Sequence, residues 1–312
     1  MRGIIAAGLL IAVGLSTQAL AANIGRIKTV AGAATVIRGP VTLPATPGLT
    51  LDVKDVLITG RDARIGVTFV DNSRFAVGPN ARISLAEFEF NDTTHKGGSL
   101  TQVDRGSLAI VSGQIAKENK DAMKVRTPTS LLALTGCATA RVALLPPESG
   151  SNVGAVAVFN PKDGSELGQL TAANTQASLG GPVKPRALKP DTYASLTAAM
   201  PAPVARFTLY FIEGSTKLAN GSEPELQKML AEVARRSGVE VQITGHTDTV
   251  GSEADNDALS LKRAREVRDA LLDQGLKLTE TRIAGRGERE LLAQTPDNVE
   301  EPRNRRVEIT VR

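Results

Sequence analysis

Gly245-His246-Thr247-Asp248-Thr249-Val250-Gly251 is the stretch on which the reading of this chain turns. Upstream, Val239, Val241 and Ile243 alternate with Glu240, Gln242 and Thr244, the period of two of a half-buried strand. Downstream, a helix is predicted from about Leu259 to Gln274. At about 100° per residue, Leu259, Ala264, Val267, Ala270 and Leu271 share one arc, and Arg263 falls inside it. Lys262, Arg265, Arg268 and Asp269 fall outside. One arginine of a basic helix therefore points to the protein body, beside a loop that closes its strand with Asp248. A carboxylate and a guanidinium converging on one pocket suit a zwitterion. The carboxylate takes an ammonium, and the guanidinium takes a carboxylate as a bidentate fork.

The same residues carry a resemblance. G-H-T-D-x-x-G at Gly245–Gly251 is followed by N-x-x-L-S-x-x-R-A-x-x-V from Asn256 to Val267. Asn304-Arg305-Arg306-Val307-Glu308-Ile309 completes the set. Three motifs in this order resemble the OmpA-like peptidoglycan-binding domain, over roughly Phe207 to Arg312. The resemblance implies non-covalent binding of the peptidoglycan stem peptide through its diaminopimelate residue. Carried onto this chain, it places the family's Asp at Asp248 and its Arg at Arg263; Thr247, Asn256 and Arg305, from the same three motifs, complete the candidate peptidoglycan-binding site. Of Arg305 and Arg306, which precede a terminal strand, one is expected to flank the pocket and the other to be solvated; the residues themselves do not say which, and Arg305 stands as the site candidate. His246 reads as a hydrogen-bonding loop residue, since one His beside an Asp makes neither a metal set nor a general base.

Composition is that of an ordinary globular chain, poor in aromatics and without Trp. The net charge of +4 is modest, and the basic residues are scattered and not interleaved with aromatics, so nucleic-acid binding has no support. Residues 1–21 read as a signal peptide: Arg2, an apolar run from Gly3 to Leu15, and Ala19-Leu20-Ala21 as the cleavage site. The mature chain is expected to begin at Ala22. The run is shorter than the roughly 20 residues that a membrane span needs. Without a following Cys, no lipid anchor is expected. The single Cys137 forms no internal disulfide.

From Ile24 to about Leu145 the chain reads as β. Leu49–Val53, Val56–Gly60, Ile65–Val70, Arg74–Gly78 and Ala81–Leu85 are short, rich in β-branched residues, and bounded by Gly, Asp, Asn or Pro. Such strands suggest a sandwich, a roll or a solenoid. They are too short, and the chain too poor in Trp and Tyr, for an outer-membrane barrel. The region resembles the FecR domain. The resemblance rests on Gly25 with Val36 and Arg38, Asp55–Gly60, Phe69–Ser73, Pro79-Asn80 with Ile83, and Arg126-Thr127-Pro128. Asn72 stands where that family's D-G-S has Gly, and Thr135-Gly136-Cys137 stands where it has R-G-T.

Further β structure is expected from Gly150 to Leu179, with a Pro161–Gly164 turn. The stretch 181–205, rich in Pro, Ala and Gly, reads as a linker, with a short helix within Tyr193–Met200. In the C-terminal part, Phe207–Phe211 is a strand. Ser222 and Glu225 form a capping box ahead of a helix that buries Leu226, Met229, Leu230 and Val233. Arg282–Gly287 is a short strand. The expected organisation is an all-β, FecR-like roll or solenoid over 22–180, the linker, and an OmpA-like α/β sandwich of βαβαββ order over 206–312.

These readings converge on a non-enzymatic, exported anchoring protein of the periplasm, bound to peptidoglycan and associated with the outer membrane of a Gram-negative envelope. No cofactor, catalytic residue or metal ligand is expected. The FecR-like part would present a surface to another envelope protein or ligand. The alternative is a FecR-type signalling protein, which requires the N-terminal run to remain uncleaved as a membrane span.

Overall fold

The computed structural model describes residues 23–119, 121–126, 141–145, 155–159, 165–178, 182–188, 194–236, 238–273, 275 and 278–312. The expected signal peptide, Pro128, Cys137 with its neighbours, and the Pro161–Gly164 turn lie outside them.

Strands dominate the N-terminal part. They are β1 Gly25–Ala31, β2 Ala34–Arg38, β3 Val41–Pro44, β4 Thr50–Leu51, β5 Val56–Thr59, β6 Arg64–Phe69, β7 Arg74–Val77 and β8 Arg82–Phe90. Then come β9 Gly97–Arg105, β10 Ser107–Val111, α1 Gln114–Glu118, β11 Met123–Arg126, β12 Arg141–Leu144 and β13 Val156–Phe159. The series closes with β14 Glu166–Leu170, β15 Thr175–Ser178, β16 Arg186–Ala187 and α2 Ala194–Thr197. The C-terminal part follows as β17 Ala205–Tyr210, α3 Glu223–Arg235, β18 Glu240–Gly245, α4 Glu253–Asp273, β19 Glu280–Gly285 and β20 Arg306–Val311.

The N-terminal strands form two eight-stranded sheets, ordered β16-β15-β12-β10-β7-β6-β1-β4 and β14-β13-β11-β9-β8-β5-β2-β3. From β9 to β13 successive strands alternate between the sheets. Each return therefore lands parallel to the previous visit, as in β9 with β11, β11 with β13, and β10 with β12. Ile27, Ile65 and Val67 of one sheet and Val36, Leu57, Ile83 and Val125 of the other share one core. Arg38 donates to both carboxylate oxygens of Asp55, at 2.9 and 2.6 Å.

Where the sequence reading ends a strand at Leu85, the structure continues it to Phe90 and pairs it with β9 in a long hairpin. The continuation, Glu87-Phe88-Glu89-Phe90, keeps the alternation: both glutamates are exposed and both phenylalanines partly buried.

The C-terminal sheet has the order β17-β20-β18-β19, with β18 and β19 parallel and both β20 pairings antiparallel. The helices α3 and α4 cover one face. Its core joins Val239, Val241 and Ile243 to Val307, Ile309 and Val311, with Met229 and Val233 from α3 and Ala264, Val267 and Leu271 from α4. Two local expectations are corrected here. The helix placed at Leu259 begins at Glu253, because Ser252 caps it: Asp255 N–H donates to Ser252 Oγ at 3.1 Å, and that hydroxyl donates to the Asp255 carboxylate at 2.6 Å. Ser222, conversely, makes no side-chain cap. Its hydroxyl accepts from Tyr210 N–H at 2.9 Å, a tertiary bond that replaces the local one.

The other face of the C-terminal sheet meets the β region. Glu240, on the polar side of the β18 alternation, is 7% exposed. Lys28 Nζ donates to Glu240 Oε2 at 2.9 Å, and Arg26 Nε approaches Glu240 Oε1 at 3.0 Å, at an angle too poor for a hydrogen bond. Arg26 Nη2 and Asn23 Nδ2 both reach Glu280 Oε2, at 2.6 and 2.7 Å. Arg312 donates to Asn72 Oδ1 and to the Val70 carbonyl. Asn72 has φ 68°, the left-handed region that Asn tolerates better than most residues. It keeps the turn that Gly would make and adds an amide oxygen for Arg312. Between the two parts lies a cavity of about 170 Å³, bordered by His95, Gln114, Arg286, Glu290 and Glu308 among others.

The stretch read as a linker is held against the β region. Thr29 Oγ1 donates to the Ala199 carbonyl and Arg74 Nη1 to the Pro201 carbonyl, each at 2.6 Å. Gly66 of β6 makes this approach possible, since a Cβ there would lie 2.1 Å from the Ala199 oxygen and 2.2 Å from Thr29 Oγ1. Gly66→Ala is therefore expected to cost about 1–3 kcal/mol by overpacking, read as a lower denaturation midpoint in urea.

Candidate functional site

The candidate site lies at the end of β18, where three loops meet. Gly245 ends the strand against α4: a Cβ there would sit 2.0 Å from the Ser260 carbonyl oxygen. Ser260 is fully buried, and its hydroxyl accepts from Gly287 N–H at 3.0 Å. Thr247 N–H donates to the Gly287 carbonyl at 2.9 Å. Much of the motif is thus scaffold, in which a missing side chain at Gly245 and a small hydroxyl at Ser260 lock the 246–251 loop onto helix and strand. Gly287 belongs to this scaffold too, and it was legible only as a strand end.

Asp248, Arg263 and Arg305 converge. Arg305 Nη1 donates to Asp248 Oδ2 at 2.8 Å, and Glu301 N–H reaches the same oxygen at 3.4 Å. Arg263 is 0% exposed and lies over the Phe211 ring, 5.4 Å from its centroid. It donates to the carbonyls of Ser215 at 2.9 Å and of His246 and Ile212 at 3.2 Å each. Burial pulls its pKa down to about 10, Asp248 acting against that and Arg305 with it. The cluster therefore holds one carboxylate and two guanidiniums. Asp248 is balanced by Arg305, and no carboxylate lies within ion-pair distance of Arg263 among the described residues. The three carbonyls occupy Nε and one N–H on each terminal nitrogen, leaving two N–H groups of the fork.

The other candidates are placed as follows. Thr247 is 1% exposed, and its hydroxyl has no partner within the protein. Arg305 Nε is likewise buried and unpartnered. Asn256, 3% exposed, donates to Glu288 Oε2 at 2.7 Å and so ties α4 to the loop after β19. The expectation that one of the two terminal arginines is solvated is corrected. Arg306 is 4% exposed, its Nε bonded to Glu308 at 2.7 Å and its Nη2 to the Glu290 carbonyl at 3.1 Å. His246 is 1% exposed and does not act as the expected hydrogen-bonding loop residue through its ring. Both ring nitrogens lack a hydrogen-bond partner, with Glu308 Oε1 4.0 Å away.

A second segment covers the acid. Thr249 Oγ1 donates to the Pro296 carbonyl at 2.7 Å and accepts from Val299 N–H at 3.1 Å, while Asn298 N–H donates to the Thr249 carbonyl at 2.8 Å. The 295–301 segment is thereby pinned beside Asp248.

Residues 210–305 match the model of the OmpA family.

Curated relatives match over stretches of comparable length. YfiB of Escherichia coli (strain K12), a lipoprotein by its name, is 30% identical over 104 residues, 33% of this chain and 65% of that protein. Outer membrane porin F of Pseudomonas fluorescens is 34% identical over 85 residues, 27% of this chain and 26% of that protein. The chain thus spans less than two thirds of either relative. Among solved structures, the peptidoglycan-associated lipoprotein from Burkholderia pseudomallei is 25% identical, with a TM-score of 0.32, over 34% of this chain and 90% of the other. The cell wall anchor of the T6SS from Pseudomonas aeruginosa is 28% identical, with a TM-score of 0.28, over 35% and 80%. No helix among the described residues is long and apolar enough to cross a membrane.

Proposed function

We propose that the C-terminal part, residues 206–312, binds peptidoglycan non-covalently through the zwitterionic centre of a diaminopimelate residue, and that the protein is a non-enzymatic anchor in the periplasm. One observation carries the reading: a buried cluster in which Asp248 is paired and Arg263 is the guanidinium left without a carboxylate. A ligand carboxylate completes the charge of Arg263 through its two remaining N–H groups, and the ligand ammonium joins Arg305 on Asp248. Charge-assisted bonds of this kind contribute about 1.5–3 kcal/mol each. Ordering the ligand offsets part of that, so the affinity of a single site is modest. Many sites along one polymer then hold the protein by effective concentration. In this reading the β region presents a surface to a second envelope component, and its buried contacts with the C-terminal sheet fix how that surface faces the wall.

Asp248→Asn is the cleaner test, because the amide oxygen still accepts from Arg305 while the charge is gone. The variant is expected to lose at least tenfold of its retention on isolated sacculi, with its melting temperature near that of the parent. Equal retention would overturn the assignment. Arg263→Ala is confounded, since it strands three carbonyls as well as removing the charge.

A further inference from the structure

Ion pairs at the joint between the two halves leave cations in excess. Glu240 is shared by Arg26 and Lys28, Glu280 by Arg26 and Arg282, and Glu232 by Arg235 and Arg236. Three carboxylates thus answer five cations, and Arg312 is a sixth. Arg312 is 7% exposed, and its side chain bonds only neutral acceptors among the described residues: Asn72, Gln242 and the Val70 carbonyl. Burial pulls its pKa down to about 10, with Arg282 and Arg206 acting the same way and Glu240 and Asp71 opposing. Asp71 answers little of the excess, because burial favours its neutral carboxyl. Burial lowers the Lys28 pKa as well, and Arg312 is among the charges that add to that shift.

Part of this excess surrounds a recess of about 180 Å³, whose lining includes Lys28, Arg235, Arg236 and Arg312 and no carboxylate side chain. Lys28 comes from β1, Arg235 and Arg236 from the end of α3, and Arg312 from the end of β20. Lys28 is the unpaired residue of a β-bulge, between Ile27 opposite Val67 and Thr29 opposite Gly66. Bulges re-aim a side chain out of the regular alternation. Donors remain unspent here. Arg235 gives Nε and Nη2 to Glu232, and Arg312 gives Nε and Nη2 to its neutral acceptors. The N–H groups of each Nη1 therefore bond nothing among the described residues. Lys28 keeps one N–H beyond those on Glu240 and the Gly238 carbonyl.

We propose that this recess binds a small multivalent oxyanion of the phosphate class, held between the two halves of the molecule. Guanidinium edges and an ammonium match an acceptor that takes several hydrogen bonds at once and carries more than one charge. A single carboxylate would leave most of the excess unanswered. The recess has room for several water molecules, and so for one such ion. None of Asp248, Arg263 and Arg305 lines it, so the proposal does not depend on the wall-binding reading. A free phosphate compound and a lipid phosphate headgroup present the same oxyanion.

Inorganic phosphate is the probe, titrated by calorimetry into the intact protein at fixed ionic strength so that screening is common to every arm. Arg235→Gln tests the recess, and Arg268→Gln on α4, outside it, is the control for loss of one surface charge. These side chains are 66% and 35% exposed, so both variants are expected to fold, and melting curves check it. The parent is expected to bind one phosphate saturably. Arg235→Gln should weaken that binding by about fivefold or more, the lower end for losing a charge-assisted contact at a solvated position. Arg268→Gln should match the parent. A parent without saturable binding overturns the proposal. Equal weakening in the two variants also overturns it, since only net charge would then matter. Unchanged affinity in Arg235→Gln overturns it too, by placing the phosphate elsewhere, as on Arg263. Phosphatidylcholine vesicles containing phosphatidic acid separate the sources. Co-sedimentation that inorganic phosphate displaces and Arg235→Gln weakens assigns the recess to a lipid phosphate. No co-sedimentation, with phosphate binding intact, assigns it to a free phosphate compound.

Discussion

Glu240→Ala is expected to lower unfolding stability by about 3–5 kcal/mol, the range found when one partner of a buried ion cluster is removed. Glu240 is 7% exposed and stands between Lys28 and Arg26 of β1, both from the other half of the molecule. Removing it takes a carboxylate from both cations in a place from which water is largely excluded. Arg26 keeps Glu280 at 2.6 Å, but Lys28 keeps only the Gly238 carbonyl at 2.9 Å. Burial already pulls the Lys28 pKa below its ordinary value, and Glu240 is the group that pulls it back up. In the variant Lys28 should titrate lower still, within reach of detection by NMR of its side chain. The loss is read from urea denaturation followed by two probes, one in each half. If this cluster, and not the Arg312 contacts to Asn72 and Val70, sets the coupling of the halves, their transitions should separate in the variant and coincide in the parent. A control sharpens the result: replacing Arg26, Lys28 and Glu240 together by apolar residues of similar size should cost less than Glu240→Ala alone. A Glu240→Ala variant as stable as the parent would show that the cluster is solvated and the two halves are not joined there.

Acidification is expected to remove about 3 kcal/mol through His246 alone. Burial, aided by Arg306 and Arg286 and opposed by Glu308, brings its folded pKa down to about 4 from the ordinary 6.5. The sign follows from which state takes the proton first. As pH falls below about 6.5, the unfolded chain protonates its histidine while the folded protein does not, so stability declines. The decline runs from about pH 6.5 to about pH 4 and levels off once the folded imidazole is also charged. Asp71 acts in the opposite sense. Its carboxyl is fully buried and pushed up by burial, so the folded state takes that proton first and regains stability as pH falls. The comparison of parent with His246→Gln isolates the histidine. The stability difference between pH 7 and pH 4 should shrink by roughly 3 kcal/mol in the variant. An unchanged pH profile would mean that the imidazole is accessible to protons in the folded state. Because the His246 carbonyl holds Arg263, the proposed wall binding should weaken only near pH 4, where the folded imidazole itself takes up a proton.

Much of the C-terminal fold was legible in the chain because it is written in local periodicity. Val239, Val241 and Ile243, and again Val307, Ile309 and Val311, alternate as buried strands must, and all six are buried. Met229 and Val233 lie at helical spacing and are buried as well. The convergence of Asp248 with Arg263 followed from one helical arc and one strand end, and in the structure the Asp248 charge acts on Arg263. Errors came where a tertiary partner overrode a local rule and where a local cap went unread. Ser222 reads as a helix cap, but its hydroxyl is claimed by Tyr210, twelve residues earlier in the chain. The start of α4 was placed late because the capping signal at Ser252 lies in what looks like loop.

Local patterning sets the strand and helix periods and the order of elements in the C-terminal part, and it supplies the charged residue types of the candidate site. Tertiary structure alone decided what the polar faces do. Glu240 and Arg312 stand on the side of their strands that alternation assigns to water, and both are buried against the β region. Alternation reports which side chains point the same way, and it says nothing about what covers them. The three carbonyls on Arg263 and the pairing of Arg305 with Asp248 were equally invisible. Each joins groups from different elements, and a guanidinium's acceptors are set by where the folded backbone places its oxygens.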